Sequence, residues 1–259
     1  VTVSVLYWTD SSNTTLAVML AHVADTWAAC RDFVRVECNG RPASHGLAHM
    51  EHVTQLSLLI ATMEGVTSPA DLRDVANVAM LHDVADHKYD ADGTLEPRVR
   101  AFIAAKLYPE AADDAASAWA AIDAVSFSKE KKRGRRYFEE ALGPRWTRVR
   151  DIVSDADKLL AIGEDGLERC WHYQLERHDG VIARAKAEGK EPPAPMTPEE
   201  VTRDVVEHAH DKLLRLASEY TVTPSGKFLA APKHKDMEAV LELWTTKPPR
   251  TLVYEEIAK

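Results

Sequence analysis

Val75-Ala76-Asn77-Val78-Ala79-Met80-Leu81-His82-Asp83 decides the reading of this chain. Six of its nine residues are apolar and suit a buried helix. The run then ends on a histidine and a carboxylate. Ser68-Pro69-Ala70-Asp71 stands before it as a helix start, a cap residue followed by proline at the first helical position. Upstream lie His45, His49 and His52, spaced by four and three residues as on one side of a helix that runs from about His45 to Glu64. That line continues into Val53, Leu56, Leu59, Ile60 and Met63, so the histidines are expected to face the interior. Downstream lies Asp155-Ala156-Asp157, within the apolar spacing of Val149, Ile152, Val153 and Leu160. Polar groups on a buried face cost free energy unless they are satisfied. A divalent cation satisfies several at once. Imidazole and carboxylate donors together suit Mn, Fe, Co, Ni or Zn better than Ca, and an ion with an open position activates water at neutral pH.

The rest of the chain supports an all-α fold. Aromatic residues are only 7% of the 259 and alanine is abundant, which favours helix over sheet. Helices are expected over about 15–36, 97–107, 111–124, 146–162, 167–188, 198–220 and 235–244. Ser44 would cap the His45 helix. Alternation resembling a strand occurs only in Val1–Tyr7. The segment 189–198, with four prolines, reads as a loop-like insert. The expected architecture is a single domain over residues 1–259, a helical bundle of eight to ten helices. Trp119, Trp146, Trp171 and Trp244 are assigned to the core.

Composition excludes several functions. A net charge of -9 argues against long nucleic acid as a partner, because phosphate neutralisation needs a basic surface. No apolar run reaches the roughly 20 residues of a membrane span, and Val1–Trp8 lacks the basic flank of a signal peptide. Three cysteines without CxxC spacing read as reduced thiols. These features together point to the cytoplasm. The run Lys129–Arg136 holds six cations in eight residues and is expected to be a loop between helices, either solvated or holding a triphosphate. Thr223-Pro224-Ser225-Gly226-Lys227 looks faintly like a phosphate loop, but lacks the earlier glycine and the hydroxyl residue after the lysine.

Four stretches together resemble the HD-domain metal-dependent phosphohydrolases, nearest to a bacterial subgroup with nucleotide pyrophosphatase activity. They are Ser44-His45-Gly46-Leu47-Ala48-His49-Met50-Glu51-His52-Val53, Leu81-His82-Asp83-Val84-Ala85-Asp86-His87-Lys88, Val125-Ser126-Phe127-Ser128-Lys129, and Asp155-Ala156-Asp157-Lys158-Leu159-Leu160-Ala161-Ile162-Gly163. They span residues 44–163, and a weaker likeness in Lys227-Phe228-Leu229-Ala230 carries it to about 244.

The resemblance implies a metal held by His49, His82, Asp83 and Asp157, with Asp155 behind it. Periodicity alone leaves Asp155 and Asp157 equivalent. The implied metal is manganese first, with Fe, Co, Ni, Zn or Mg as alternatives. Asp86, three residues after Asp83, would act on water or on the leaving group, with His45 and Lys88 beside it. His52, His87, Lys129 and Asp155 would contact substrate. The implied partner is a small phosphorylated molecule, a nucleotide above all, and a homodimer is compatible with the reading. Two positions depart from the subgroup. Gly46-Leu47 replaces an acidic-aromatic pair, and His52 stands where the subgroup has arginine, which puts substrate choice in question rather than metal binding. Competing readings are a phosphomonoesterase such as a 5'-nucleotidase, a phosphodiesterase, and a helical regulatory module that keeps the metal for structure. The Gly-Tyr-Pro signature of the cyclic-dinucleotide branch is absent.

Overall fold

The structure, a computed structural model, describes residues 10–42 and 45–246, with side chains placed for 23–42 and 45–245. It is all-α, as expected: among the described residues there are helices and turns and no strand. The Val1–Tyr7 alternation and the Ser44 cap lie outside the described residues. The chain gathers into two compact units divided between Ala156 and Asp157.

In the first unit the helices are α1 (Asp10–Glu37), α2 (Leu47–Met63), α3 (Pro69–Leu81), α4 (Leu95–Phe102), α5 (Ala112–Val125), α6 (Phe127–Arg133) and the larger part of α7 (Glu139–Ala161). α3 is its centre. It packs on α1, α2 and α5, and Leu72, Val75, Ala76, Val78, Ala79, Met80 and Leu81 are all buried. A helix whose apolar residues cover most of its surface has to be packed on most sides, which is why this run organises the unit. Its start is as expected: Ser68 Oγ accepts from the Asp71 N–H at 3.4 Å and Pro69 opens the helix.

The two polar residues of α3 that are buried are satisfied. Tyr108 donates to Asp74 at 2.7 Å and receives from Asn77 at 3.3 Å, and Arg145 of α7 closes on Asp74 from the other side. Arg145 also reaches Asp114 at 2.8 Å and Asp71 at 3.2 Å, so one guanidinium ties α7 to α3 and α5.

Most of the basic run is helical, and only its last three residues lie beyond the helix. Residues 127–133 form α6, whose start is capped by Ser126 accepting from the Lys129 N–H at 3.4 Å. The acid within the run explains the difference. Glu130 is buried and takes bonds from Arg150 at 2.7 Å, Arg135 at 2.8 Å and the Arg136 N–H at 3.2 Å. Arg150, fully buried, also donates to the Ala124 carbonyl at 2.9 Å and lies 4.0 Å from the Phe138 ring centre. Arg136 pairs with Asp151 at 3.1 Å and with Glu139 at 3.0 Å. Charges of one sign along a sequence are here distributed over acids of α5, α6 and α7.

The second unit holds the end of α7, α8 (Glu164–Ala187), α9 (Pro198–His208) and α10 (Pro224–Thr246). α8 packs on α9 and α10, with Trp171 and Trp244 meeting edge to face at 5.9 Å. Thr197 and Glu200 form a reciprocal capping box at the start of α9. The 189–198 insert leads into it without regular structure up to Thr197. The segment likened to a phosphate loop is a helix start: Thr223 Oγ1 accepts from the Gly226 N–H at 2.9 Å. Among the described residues no helix is long and apolar enough to cross a membrane.

Candidate metal centre

α3 ends at Leu81, so the His-Asp pair sits on the exit from the central helix rather than inside it. His82 is its C-cap and Asp83 opens the following turn. His82 Nδ1 is 2.7 Å from the Ala79 carbonyl oxygen. A carbonyl only accepts, so Nδ1 carries the proton and the lone pair of the neutral ring lies on Nε2. That is the usual orienting contact behind a metal-ligating histidine.

His49 approaches from α2, its ring centre 5.2 Å from that of His82. His49, His82 and Asp83 each offer a donor atom, all within 4.8 Å of one another. Two ligands at about 2.1 Å from one ion can stand up to about 4.2 Å apart, so the cluster is a small side-chain movement from closing on a cation. The donor types, the spacing and the oriented His82 ring all fit a divalent transition metal.

The surrounding residues are less uniform. His45 is not on the helix: Gly46 caps α2 and His45 lies in the preceding turn. Its ring centre is 6.2 Å from that of His49 and 5.5 Å from that of Tyr89. Burial pushes the His45 pKa below 6.5, Lys88 and His49 push the same way, and Asp83 and Asp86 oppose. Asp86 is half-buried, accepts from the Lys88 N–H at 2.8 Å and lies 3.3 Å from His87 Nδ1. The side chains of His87 and Lys88 are exposed.

His52 departs from expectation. It is exposed, and it does not share the buried face of Met50, Val53, Thr54, Ser57, Leu58, Ile60 and Ala61. At 100° per residue it stands roughly 150° from the middle of that arc, whereas His49 sits at its edge. Met63, expected inside, is exposed as well. Lys129 is paired with Asp123 of α5 and so belongs to the α5–α6 charge cluster. Asp155 is fully buried on α7 in the first unit, while Asp157, half-buried, begins the second. Two residues apart on a helix, they point about 200° apart.

Arg41 and Tyr89 were not singled out by the sequence. Arg41 donates to the carbonyls of Asp83 at 3.0 Å and Val84 at 2.6 Å, and its guanidinium lies 4.4 Å from the Tyr89 ring centre. It clamps the turn that presents Asp83. Cys38 is near this clamp, but burial pushes its thiol up to about 11, so it is protonated at neutral pH.

This arrangement is the fold of HD-domain proteins. A structure described as an HD-superfamily hydrolase from Bacillus thuringiensis superposes with TM-score 0.55 at 20% identity, covering 86% of this chain and 97% of its own. Bacillus subtilis YpgQ in complex with ADP gives TM-score 0.55 at 20% identity over 88% of this chain and 98% of its own. A protein from Lactobacillus plantarum gives 0.58 at 24% identity over 86% and 96%. No family model matches the sequence, and no curated protein matches it significantly.

Proposed function

We propose that this chain is a metal-dependent phosphohydrolase of small nucleotides, and that a nucleoside triphosphate releasing pyrophosphate is its reaction. The observation that carries the proposal is the donor set His49, His82 and Asp83, within 4.8 Å at the exit of the central helix. The HD fold and the likeness to a B. subtilis protein crystallised with ADP support a nucleotide substrate.

His49, His82 and Asp83 would hold the cation, and the Ala-Asp-x-Leu motif assigns the fourth ligand to Asp157, with Asp155 behind it. Bound there, a divalent ion, manganese first, would polarise a phosphoryl oxygen and make water a competent nucleophile. The chain's own residues supply the rest. Arg41 fixes the Asp83 turn. Asp86 is oriented by the Lys88 N–H and takes the proton of the attacking water. His45, held neutral by burial, hydrogen-bonds a phosphate oxygen. Lys88 meets the phosphate as a point charge, with His87 at the rim. His52 and Lys129 are left out of this set, the first standing on the side of α2 away from its buried face and the second paired with Asp123.

The test is phosphorus NMR of manganese-loaded protein with nucleoside tri-, di- and monophosphates, beside His82→Ala. Pyrophosphate from a triphosphate, lost in the variant, is the expected result. Phosphate released from a monophosphate would indicate the phosphomonoesterase instead. A flat baseline for both proteins would refute hydrolysis.

A further inference from the structure

Beside the His-Asp turn the first unit opens a cavity of about 570 Å³, between the end of α1, the segment 39–42 and the approach to α4. That volume suits a small organic molecule, for which roughly 300–1,000 Å³ is usual. Two of its walls are shared with the candidate metal centre. Arg41 lines the cavity and also holds the Asp83 and Val84 carbonyls. Tyr89 lines it and stands 5.5 Å from the His45 ring. A molecule seated here therefore has the metal-ligand turn at one end.

The charges of the cavity balance, which says what kind of molecule fits. Arg98 is paired with Glu37 at 2.5 Å. Arg41 is engaged with two carbonyls and the Tyr89 ring. Asp92 adds a second carboxylate, already bonded to Thr94. A polyphosphate would meet two carboxylates here as well as two guanidiniums, so the cavity offers it no net positive charge. A neutral, flat group rich in hydrogen-bond donors fits better. Sugar hydroxyls and the exocyclic amines of a base can donate to Asp92 and Glu37, Asn39 can both donate and accept, and Pro42 and Leu95 give an apolar edge.

We propose that this cavity is the nucleoside subsite, holding sugar and base while the phosphates extend towards His49, His82 and Asp83. It rests on the phosphohydrolase reading for the destination of those phosphates. Asn39 is exposed just after α1, so Asn39→Trp fills the cavity without disturbing the core, and Asn39→Ala removes the amide alone.

The experiment is calorimetric titration of metal-free protein with the four common nucleoside diphosphates, and of manganese-loaded protein with inorganic pyrophosphate. Asn39→Trp is expected to weaken the preferred nucleoside diphosphate at least about tenfold, and Asn39→Ala by less, the loss of roughly one good contact. Pyrophosphate binding should stay within about twofold, a change worth well under the 1.4 kcal/mol of a tenfold difference. Unchanged nucleoside diphosphate binding in folded Asn39→Trp overturns the proposal, and so does an equal loss of pyrophosphate binding. Nucleotide hydrolysis whose KM ignores Asn39→Trp refutes the subsite but not the activity. Cavity binding without hydrolysis of any nucleotide does the reverse.

Discussion

Removing the Arg41 guanidinium tests how the His-Asp turn is held. Arg41→Ala deletes two charge-assisted bonds, of 3.0 and 2.6 Å to the carbonyls of Asp83 and Val84, and a stacking contact at 4.4 Å on Tyr89. Hydrogen bonds to charged groups contribute about 1.5–3 kcal/mol each. Arg41 is half-buried, so water reaches part of the exposed carbonyl surface, and a net cost of about 2–3 kcal/mol is reasonable. If the turn bears that cost, metal affinity falls by about 10–100-fold, the usual effect of removing a contact behind a metal ligand. Arg41→Lys keeps the charge but cannot span both carbonyls and should fall between. The assay is calorimetric titration with manganese, with thermal unfolding as a check that each variant is folded. Folded Arg41→Ala that binds manganese within about twofold of wild type would refute this role, since the clamp would then not be shaping the site.

Three further outcomes are expected. Arg150→Ala leaves buried Glu130 facing Arg135 alone among its side-chain partners, and should cost about 3–5 kcal/mol. That is a drop of roughly 6–20 °C in Tm by calorimetry. Acid should weaken the fold through the same carboxylate. Burial raises the Glu130 pKa, but the Arg150 charge, the Arg136 N–H and the Arg150 hydrogen bond outweigh it and leave it below 4.5. Its contribution is therefore complete above pH 4.5 and lost as pH falls through the lower folded value. Urea midpoints between pH 3 and 6 should accordingly fall less steeply for Glu130→Gln than for wild type. Asp86→Asn should keep its metal and lose about 10²–10⁴-fold in kcat, the range for a general base, as measured by product release.

Much of the fold was legible where local signals and burial agree. α3 has both a capped start and a long apolar run, and both are borne out. Residue spacing was less reliable at the ends of α2. His45, His49 and His52 look collinear, yet the helix begins only at Leu47 and its buried arc passes His52 by. Lys129–Arg136 read as a loop because its partners lie on other helices, with Asp123 on α5 and Arg150 and Asp151 on α7. Arg41 and Tyr89 carried no signal because the carbonyls Arg41 holds lie 42 and 43 residues away. By contrast, His49, His82 and Asp83 were chosen from the sequence and are brought together by the fold.

The central claim is that these three side chains hold one divalent ion. Manganese-loaded protein, dialysed and measured by elemental analysis, should retain about one ion per chain. His49→Ala, His82→Ala and Asp83→Ala should each lose it while remaining helical by circular dichroism, and Asp123→Ala should keep it. Folded His82→Ala that retains the ion at the wild-type level would contradict the claim.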